Sequence, residues 1–136
     1  MNFEKFFWRT IFILYIILIF YVSLSHPVIS VSNFKGEDKI VHFIMYFIGA
    51  DLFCLSMRGL KSKILKFLLY LSFFSIPVLT EYLQYRLPYR TFSWGDVIAN
   101  FSGLTIGILF YVIKIVAFKE KKEFDLWKKK NLELFI

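Results

Sequence analysis

The sequence has few of the residues that stabilise small secreted domains or interrupt helices. Its 136 residues include a single cysteine, Cys54, which excludes an intramolecular disulfide and a CxxC metal motif. Cys54 lies inside an apolar run, where we expect it to act as a small hydrophobic side chain. Only 3 prolines and 6 glycines are present, and neither a repeat nor a low-complexity linker divides the chain. These features predict one domain.

Acidic residues are also scarce, whereas apolar residues are abundant. The 10 Asp and Glu residues stand against 17 Lys and Arg residues, which gives a net charge of +7. Such an excess fits either a nucleic acid or an anionic membrane surface. The chain is, however, 58% hydrophobic and 21% aromatic, with a mean hydropathy of +0.62. A small soluble domain buries only part of its surface, so this composition favours a membrane protein that binds no nucleic acid.

Four apolar runs approach the roughly 20 residues that a helix needs to cross a bilayer. The predicted helices cover about residues 6–24, 40–57, 64–84 and 97–118. Backbone groups in lipid must be satisfied within the segment, and the runs lack the alternation of a β-barrel. The first run is longer than a signal-peptide core and no A-x-A-like site follows it, so we expect an uncleaved anchor. We therefore predict an all-α, four-helix transmembrane domain over residues 1–118 and a basic cytoplasmic tail over 119–136.

The distribution of basic residues predicts the orientation. If the chain crosses four times, thirteen of the 17 Lys and Arg residues fall at the termini and the middle connection. The other four, Lys35, Lys39, Arg86 and Arg90, fall on the opposite side. The positive-inside rule then places both termini in the cytoplasm. The expected location is the bacterial cytoplasmic membrane, crossed several times.

Polar residues are concentrated at the helix ends predicted to face outward. Three helices each carry polar and small or kinking residues at i, i+3 and i+4 spacing, which places each set on one helix face. The sets are Asp38, His42, Met45 and Gly49; Pro77, Glu81 and Gln84; and Asp96, Asn100, Gly103 and Gly107. The Gly103–Gly107 pair forms a GxxxG motif, which permits close approach of a neighbouring helix. If the three faces meet, they form a polar pocket just below the outer headgroups.

Each polar residue also has a structural interpretation. Asp96 is suited to cap the last helix, and Arg90 to reach lipid phosphates. His42 could form only an interhelical hydrogen bond. Glu81 is harder to explain structurally, since a carboxylate at helix depth is costly unless paired, and we expect Arg90, Lys39 or His42 as its partner. Asp51 lies outside the pocket and is expected to pair with Arg58 or Lys66.

The same residues carry a family resemblance. The pattern D-K-x-x-H occurs at Asp38–His42 and E-x-x-Q at Glu81–Gln84, followed by an arginine at position 90. D-x-x-x-N-x-x-G then occurs at Asp96–Gly103, with Gly107 one turn further on. In order and spacing the chain resembles the VanZ-like family of small bacterial membrane proteins. The resemblance implies a role in the cell envelope, since the family's namesake is associated with glycopeptide-antibiotic resistance and related proteins are proposed to act on lipid headgroups or lipid-linked sugars.

Two functions of different classes fit this pocket. In the first, the protein is a phosphoester hydrolase or transferase acting on a lipid headgroup or lipid-linked precursor. The catalytic candidates are then His42, Glu81, Arg90 and Asp96, and the substrate-binding candidates are Lys39, Gln84 and Asn100. In the second, the same residues bind a lipid, a cell-wall precursor or an amphiphilic drug without turnover. Metal binding by His42, Glu81 and Asp96 is chemically possible. The sequence lacks HExxH-like spacing, however, so it predicts neither a metal site nor another cofactor.

Overall fold

The computed structural model describes residues 3–25 and 36–133, with side chains as far as Lys129. This part of the chain forms four α-helices and contains no strand: α1 (Phe3–Leu24), α2 (Glu37–Ser56), α3 (Lys63–Tyr85) and α4 (Trp94–Glu133). All four are long and apolar enough to cross a membrane. The predicted all-α, four-span architecture is confirmed, and its orientation stays a prediction.

The helix ends differ from the predicted ones mainly where polar residues continue a helix. α2 begins at Glu37 rather than residue 40, directly after Gly36, whose φ of 111° is readily adopted only by glycine. α4 begins at Trp94 and continues to Glu133, although the apolar run ends near residue 118. Lys and Glu are good helix formers, so the helix does not stop where the hydrophobicity stops. At 1.5 Å per residue α4 is about 60 Å long, twice the hydrocarbon thickness.

The most extensive contact in the bundle is the parallel seam between α2 and α4. A Cβ atom on Gly103 would overlap the backbone carbonyl of Phe43. A Cβ atom on Gly107 would lie 2.6 Å from the carbonyl oxygen of Phe47 and 2.7 Å from the Cβ of Ala50. The two helix backbones are therefore as close as glycine allows, which confirms the close approach predicted from the GxxxG motif.

An aromatic cluster fills the space among α1, α2 and α3. Phe53 stacks on Phe73 with ring centroids 4.6 Å apart, and Phe12 contacts both rings. Most other large apolar side chains, such as Ile13 and Leu109, point away from the bundle. In a bilayer these outward-facing side chains contact acyl chains, so the small protein core is consistent with the apolar composition.

The helices meet at two chemically different ends. We call the end where α1 and α3 finish and α2 and α4 begin the polar end, and the opposite one the basic end. At the basic end Arg58 donates a hydrogen bond to the hydroxyl of Tyr111 at 3.1 Å. Between the two ends, Asp51 pairs with Lys114 at 2.6 Å. The prediction that Asp51 pairs with Arg58 or Lys66 is therefore wrong, because the glycine seam turns this face of α2 towards α4.

Candidate functional site

The polar end contains a buried group of polar side chains from all four helices. Asn100 and Glu81 are 0% and 1% exposed, and His42 and Asp96 are each 8% exposed. The other buried polar residues at this end are Ser23, Thr80 and Gln84. Burying polar groups is costly unless they are hydrogen-bonded, so the partners of each group decide whether this end is only a structural joint.

His42 and Asn100 join α2 to α4 at the polar end. The Nδ1 atom of His42 lies 2.9 Å from the Oδ1 atom of Asn100. Because the amide oxygen can only accept, Nδ1 carries a proton, and in the neutral imidazole the lone pair is then on Nε2. The contact lies directly beside the place where Gly103 meets Phe43, so the glycine seam determines the separation of the two side chains. The interhelical bond expected as a structural role for His42 is present, and it leaves Nε2 available.

Glu81 enters the same space from α3. One potential ligand atom from each of His42, Glu81 and Asp96 lies within 4.8 Å of the other two. Neither oxygen of Glu81 has a hydrogen-bond partner, and the backbone N–H of Ser93 approaches it without the geometry of a hydrogen bond. No ion pair within 4.0 Å joins Glu81 to Arg90, Lys39 or His42, so the predicted pairing of this carboxylate is wrong.

Asp96 is the second carboxylate of the cluster and belongs to α4. It is the third residue of the helix, so Ser93, rather than Asp96, occupies the capping position. Its Oδ1 atom forms an ion pair with Lys39 at 3.2 Å, and Lys39 also contacts Asp38 at 3.1 Å. Two carboxylates about 5 Å apart repel each other by roughly 3 kcal/mol at an effective dielectric constant near 20. Lys39 neutralises one of them and Glu81 remains without a partner.

Gln84 and Arg90 lie on the side of the cluster that faces α1. Gln84 Nε2 donates to the carbonyl of Ser23 at 2.7 Å, and Arg90 donates to the carbonyl of Ser25 at 3.0 Å. Together with Tyr89, which donates to the carbonyl of Leu24 at 3.0 Å, they satisfy three successive carbonyls at the end of α1. Part of the donor capacity of Gln84 and Arg90 is thus structural. The Nε atom of Arg90 remains buried without a hydrogen-bond partner.

One further polar pair lies below the cluster and was not among the residues chosen from the sequence. The hydroxyl of Tyr46, which is fully buried, lies 2.9 Å from the hydroxyl of Thr80. Tyr46 is one helical turn after His42 and Thr80 directly precedes Glu81, so the pair supports two candidate residues from beneath. The i, i+4 spacing from His42 was the available signal, but a tyrosine in an aromatic-rich run resembles its apolar neighbours.

A groove opens sideways from the cluster between α3 and α4. Its volume is about 490 Å³, and it is lined by Val78, Glu81, Tyr82, Tyr85, Phe92, Trp94 and Val97. Glu81 is the only charged residue among them. Tyr82 and Trp94 are largely exposed at the groove edges, where they would face lipid. The groove therefore reaches from the surroundings of the bundle to Glu81, whose carboxylate oxygens are themselves buried behind the groove wall.

The buried polar atoms that lack a hydrogen-bond partner share one location. Within the described residues they are Ser23 Oγ, Glu81 Oε1 and Oε2, Arg90 Nε, Asn100 Nδ2 and Asp96 Oδ1; the last of these has an ion pair with Lys39 but no hydrogen bond. All lie at the polar end, and both donors and acceptors are present. Buried groups without partners are rare in folded proteins and are typical of places where a ligand completes the hydrogen bonding. The cluster is therefore the candidate functional site of the described residues.

These observations define a class of protein: a multi-pass α-helical membrane protein with a buried polar site at one end of its bundle. The model of the family described as VanZ/LLP1 matches residues 8–116, and the chain belongs to this family. The resemblance noted from the motifs is thereby confirmed. Neither the comparison with curated proteins nor that with solved structures found a match.

Proposed function

We propose that the protein acts on the phosphorylated headgroup of a membrane lipid or of a lipid-linked envelope precursor. The observation that carries the proposal is the convergence of unpartnered buried polar atoms beside an apolar groove, with Glu81 belonging to both. A ligand that matches this arrangement has a polar head joined to an apolar chain. Membrane lipids and lipid-linked precursors are the abundant molecules of that kind around a membrane-spanning bundle.

The groove between α3 and α4 would hold the apolar part of the substrate. Its walls are aromatic and aliphatic, with Glu81 as the only charged residue in the lining, and its volume of about 490 Å³ lies in the usual range for ligand sites. A lipid entering from the side would keep its chain in an apolar environment throughout. Its headgroup would then lie beside Glu81, His42 and Asp96.

The charged residues suit phosphoester chemistry. Arg90 Nε and Lys39 would bind phosphate oxygens by charge-assisted hydrogen bonds. Glu81 or His42 Nε2 would accept the proton of the attacking hydroxyl, from water or from an acceptor alcohol. As the new P–O bond forms, the bond to the leaving alcohol breaks, and a protonated group of the same pair supplies the proton that the leaving oxygen needs.

The predicted orientation would place this chemistry in the outer leaflet of the bacterial cytoplasmic membrane. Thirteen of the 17 Lys and Arg residues belong to the N-terminus, to the middle connection with the start of α3, or to the chain from Lys114 onwards, and this distribution supports the placement. A headgroup modified there is part of the cell envelope. A role in the envelope's response to glycopeptide antibiotics would follow from such a modification.

Reconstitution into liposomes of defined phospholipids, followed by mass spectrometry and ³¹P NMR, tests the proposal. We expect slow conversion of one headgroup class by the wild-type protein and none by Glu81→Gln. Glu4→Gln is the matched control, since Glu4 is exposed and pairs weakly with Arg58 at 3.8 Å on the basic end. Equal conversion by wild type and Glu81→Gln would contradict the assigned role of the carboxylate.

The same experiment separates catalysis from binding. If no lipid or lipid-linked precursor is converted, but a spin-labelled lipid is immobilised by the wild-type protein and not by Glu81→Gln, the site is a non-catalytic binding site. If neither conversion nor immobilisation occurs with any lipid tested, the proposal fails as a whole.

A further inference from the structure

Three side chains with metal-binding atoms meet at the polar end although they are far apart in the sequence. His42 comes from α2, Glu81 from α3 and Asp96 from α4, and one ligand atom of each lies within 4.8 Å of the others. Donors around a tetrahedral zinc ion at about 2.1 Å are separated by roughly 3.4 Å. Shifts of the three ligand atoms by about an ångström, through rotation of their side chains, would bring them to that spacing.

The basic side chains near the cluster leave Glu81 without an ion pair. Lys39 lies at the rim, where it pairs with Asp96 Oδ1 at 3.2 Å and also with Asp38 at 3.1 Å, so its single charge is shared between two carboxylates. Arg90 directs its terminal nitrogen to the carbonyl of Ser25 instead of to Glu81. Glu81 is 1% exposed, and neither of its oxygens has a hydrogen-bond partner. A buried carboxylate in this state requires a bound cation or a proton.

We propose that His42, Glu81 and Asp96 bind one divalent transition-metal ion, of the Zn²⁺ or Mn²⁺ type. The imidazole favours such an ion over Mg²⁺ and Ca²⁺, which prefer sites made only of oxygen ligands. Three protein ligands leave at least one coordination position open, as in catalytic metal sites. The inference rests on the proposed function only for the role of the ion, which would hold a phosphate oxygen of the substrate at that position. With the ion bound, the lone pair of His42 Nε2 would no longer accept a proton, and the Glu81 oxygen that does not bind the ion would take that role.

Asn100 has the position of the residue that orients a metal-binding histidine. Histidines that bind a metal through one nitrogen usually donate the other N–H to a carbonyl or carboxylate. Here the Oδ1 atom of Asn100 accepts from Nδ1 of His42, so the lone pair of Nε2 is the one available to an ion. The fully buried Asn100 is itself held by the α2–α4 seam, and the imidazole therefore has little freedom to turn away.

Metal binding can be measured without any lipid substrate. Chelator-treated protein in nanodiscs is titrated with Zn²⁺ in competition with a chromophoric chelator, and metal content is measured by mass spectrometry. We expect one ion per chain, with affinity weakened about tenfold or more in Glu81→Gln, Asp96→Asn and Asn100→Ala. Asp51→Asn is the matched control, because it removes a carboxylate of α2 that pairs with Lys114 outside the cluster. Unchanged affinity in both carboxylate variants would overturn the proposal.

A spectroscopic measurement on Mn²⁺-loaded protein does not depend on the folding of carboxylate variants. Pulsed EPR should show coupling of Mn²⁺ to a histidine ¹⁴N in the wild type. The sequence has 2 histidines, so His26→Ala should retain the coupling and His42→Ala should lose it. A wild-type spectrum without nitrogen coupling, or loss of the coupling only in His26→Ala, would overturn the site.

Lipid turnover then separates the two proposals. If the metal-free protein converts lipids at the wild-type rate and Zn²⁺ does not bind, the metal site is wrong and the proposed function stands. If Zn²⁺ binds as described and no lipid is converted, the metal site stands and the proposed function fails.

Discussion

Replacement of Gly103 tests whether the glycine seam determines the geometry of the site. In Gly103→Ala the new Cβ would overlap the carbonyl oxygen of Phe43, so α2 and α4 must separate by roughly 1 Å to restore van der Waals contact. The bond between His42 Nδ1 and Asn100 Oδ1, now 2.9 Å, would lengthen to about 3.9 Å and be lost. Overpacking costs about 1–3 kcal/mol and the lost bond about 1 kcal/mol more. Gly103→Leu should cost still more.

The matched control introduces the same side chain on the lipid-facing side of the helix. Thr105 is exposed two positions further along α4, so Thr105→Leu should leave the unfolding temperature nearly unchanged. Leu109→Ala, which truncates another lipid-facing side chain, should likewise be mild. Thermal unfolding in nanodiscs measures stability, and ¹⁵N NMR of the His42 imidazole reports the hydrogen bond. Equal unfolding temperatures for Gly103→Leu and Thr105→Leu, with an unshifted His42 signal, would refute the reasoning.

Three shorter predictions concern topology, Asp96 and the ion pair within the bundle. A membrane-impermeant thiol reagent applied to intact cells should label Thr91→Cys but not Lys61→Cys, in a background without the native cysteine; the reverse pattern would contradict the orientation. Asp96→Ala should abolish lipid turnover and lower stability by no more than about 1 kcal/mol, whereas a purely structural role would reduce stability and spare turnover. Lys114→Met should destabilise by the order of 2 kcal/mol because Asp51 is left unpaired in the bundle, and adding Asp51→Asn should restore most of the loss in a detergent unfolding assay.

The sequence was sufficient for the architecture because each span has its own signal. Apolar run length predicted four helices, and the GxxxG motif predicted a close contact at Gly103. The sequence could not identify which helix packs against Gly103. Since α4 packs along α2, Asp51 meets Lys114, which no local spacing indicates. Periodicity places residues on one face of their own helix, while the neighbour of that face depends on the whole bundle.

At the candidate site, too, the sequence predicted which residues take part but not how they pair. Depth and spacing selected His42, Glu81, Asp96 and Asn100, and the structure brings these four together. Their pairing was not predictable, because pairing depends on distances between helices. Lys39 pairs with Asp96 rather than Glu81, and Arg90 binds the end of α1. The unpartnered state of Glu81, on which the metal proposal rests, is a property of the folded bundle alone.

The three side-chain donors at the end of α1 have a consequence for the biogenesis of the protein. During synthesis α1 leaves the ribosome first, and the carbonyls of Ser23, Leu24 and Ser25 lack their donors until Gln84, Tyr89 and Arg90 have followed. The last carbonyls of the first span therefore stay without these donors even if the translocon releases the span into the bilayer early. Closure of the polar end is a late event that requires the third span and the connection after it. A chain arrested before residue 84 would carry an N-terminal helix whose end is still open, as a substrate for membrane quality control.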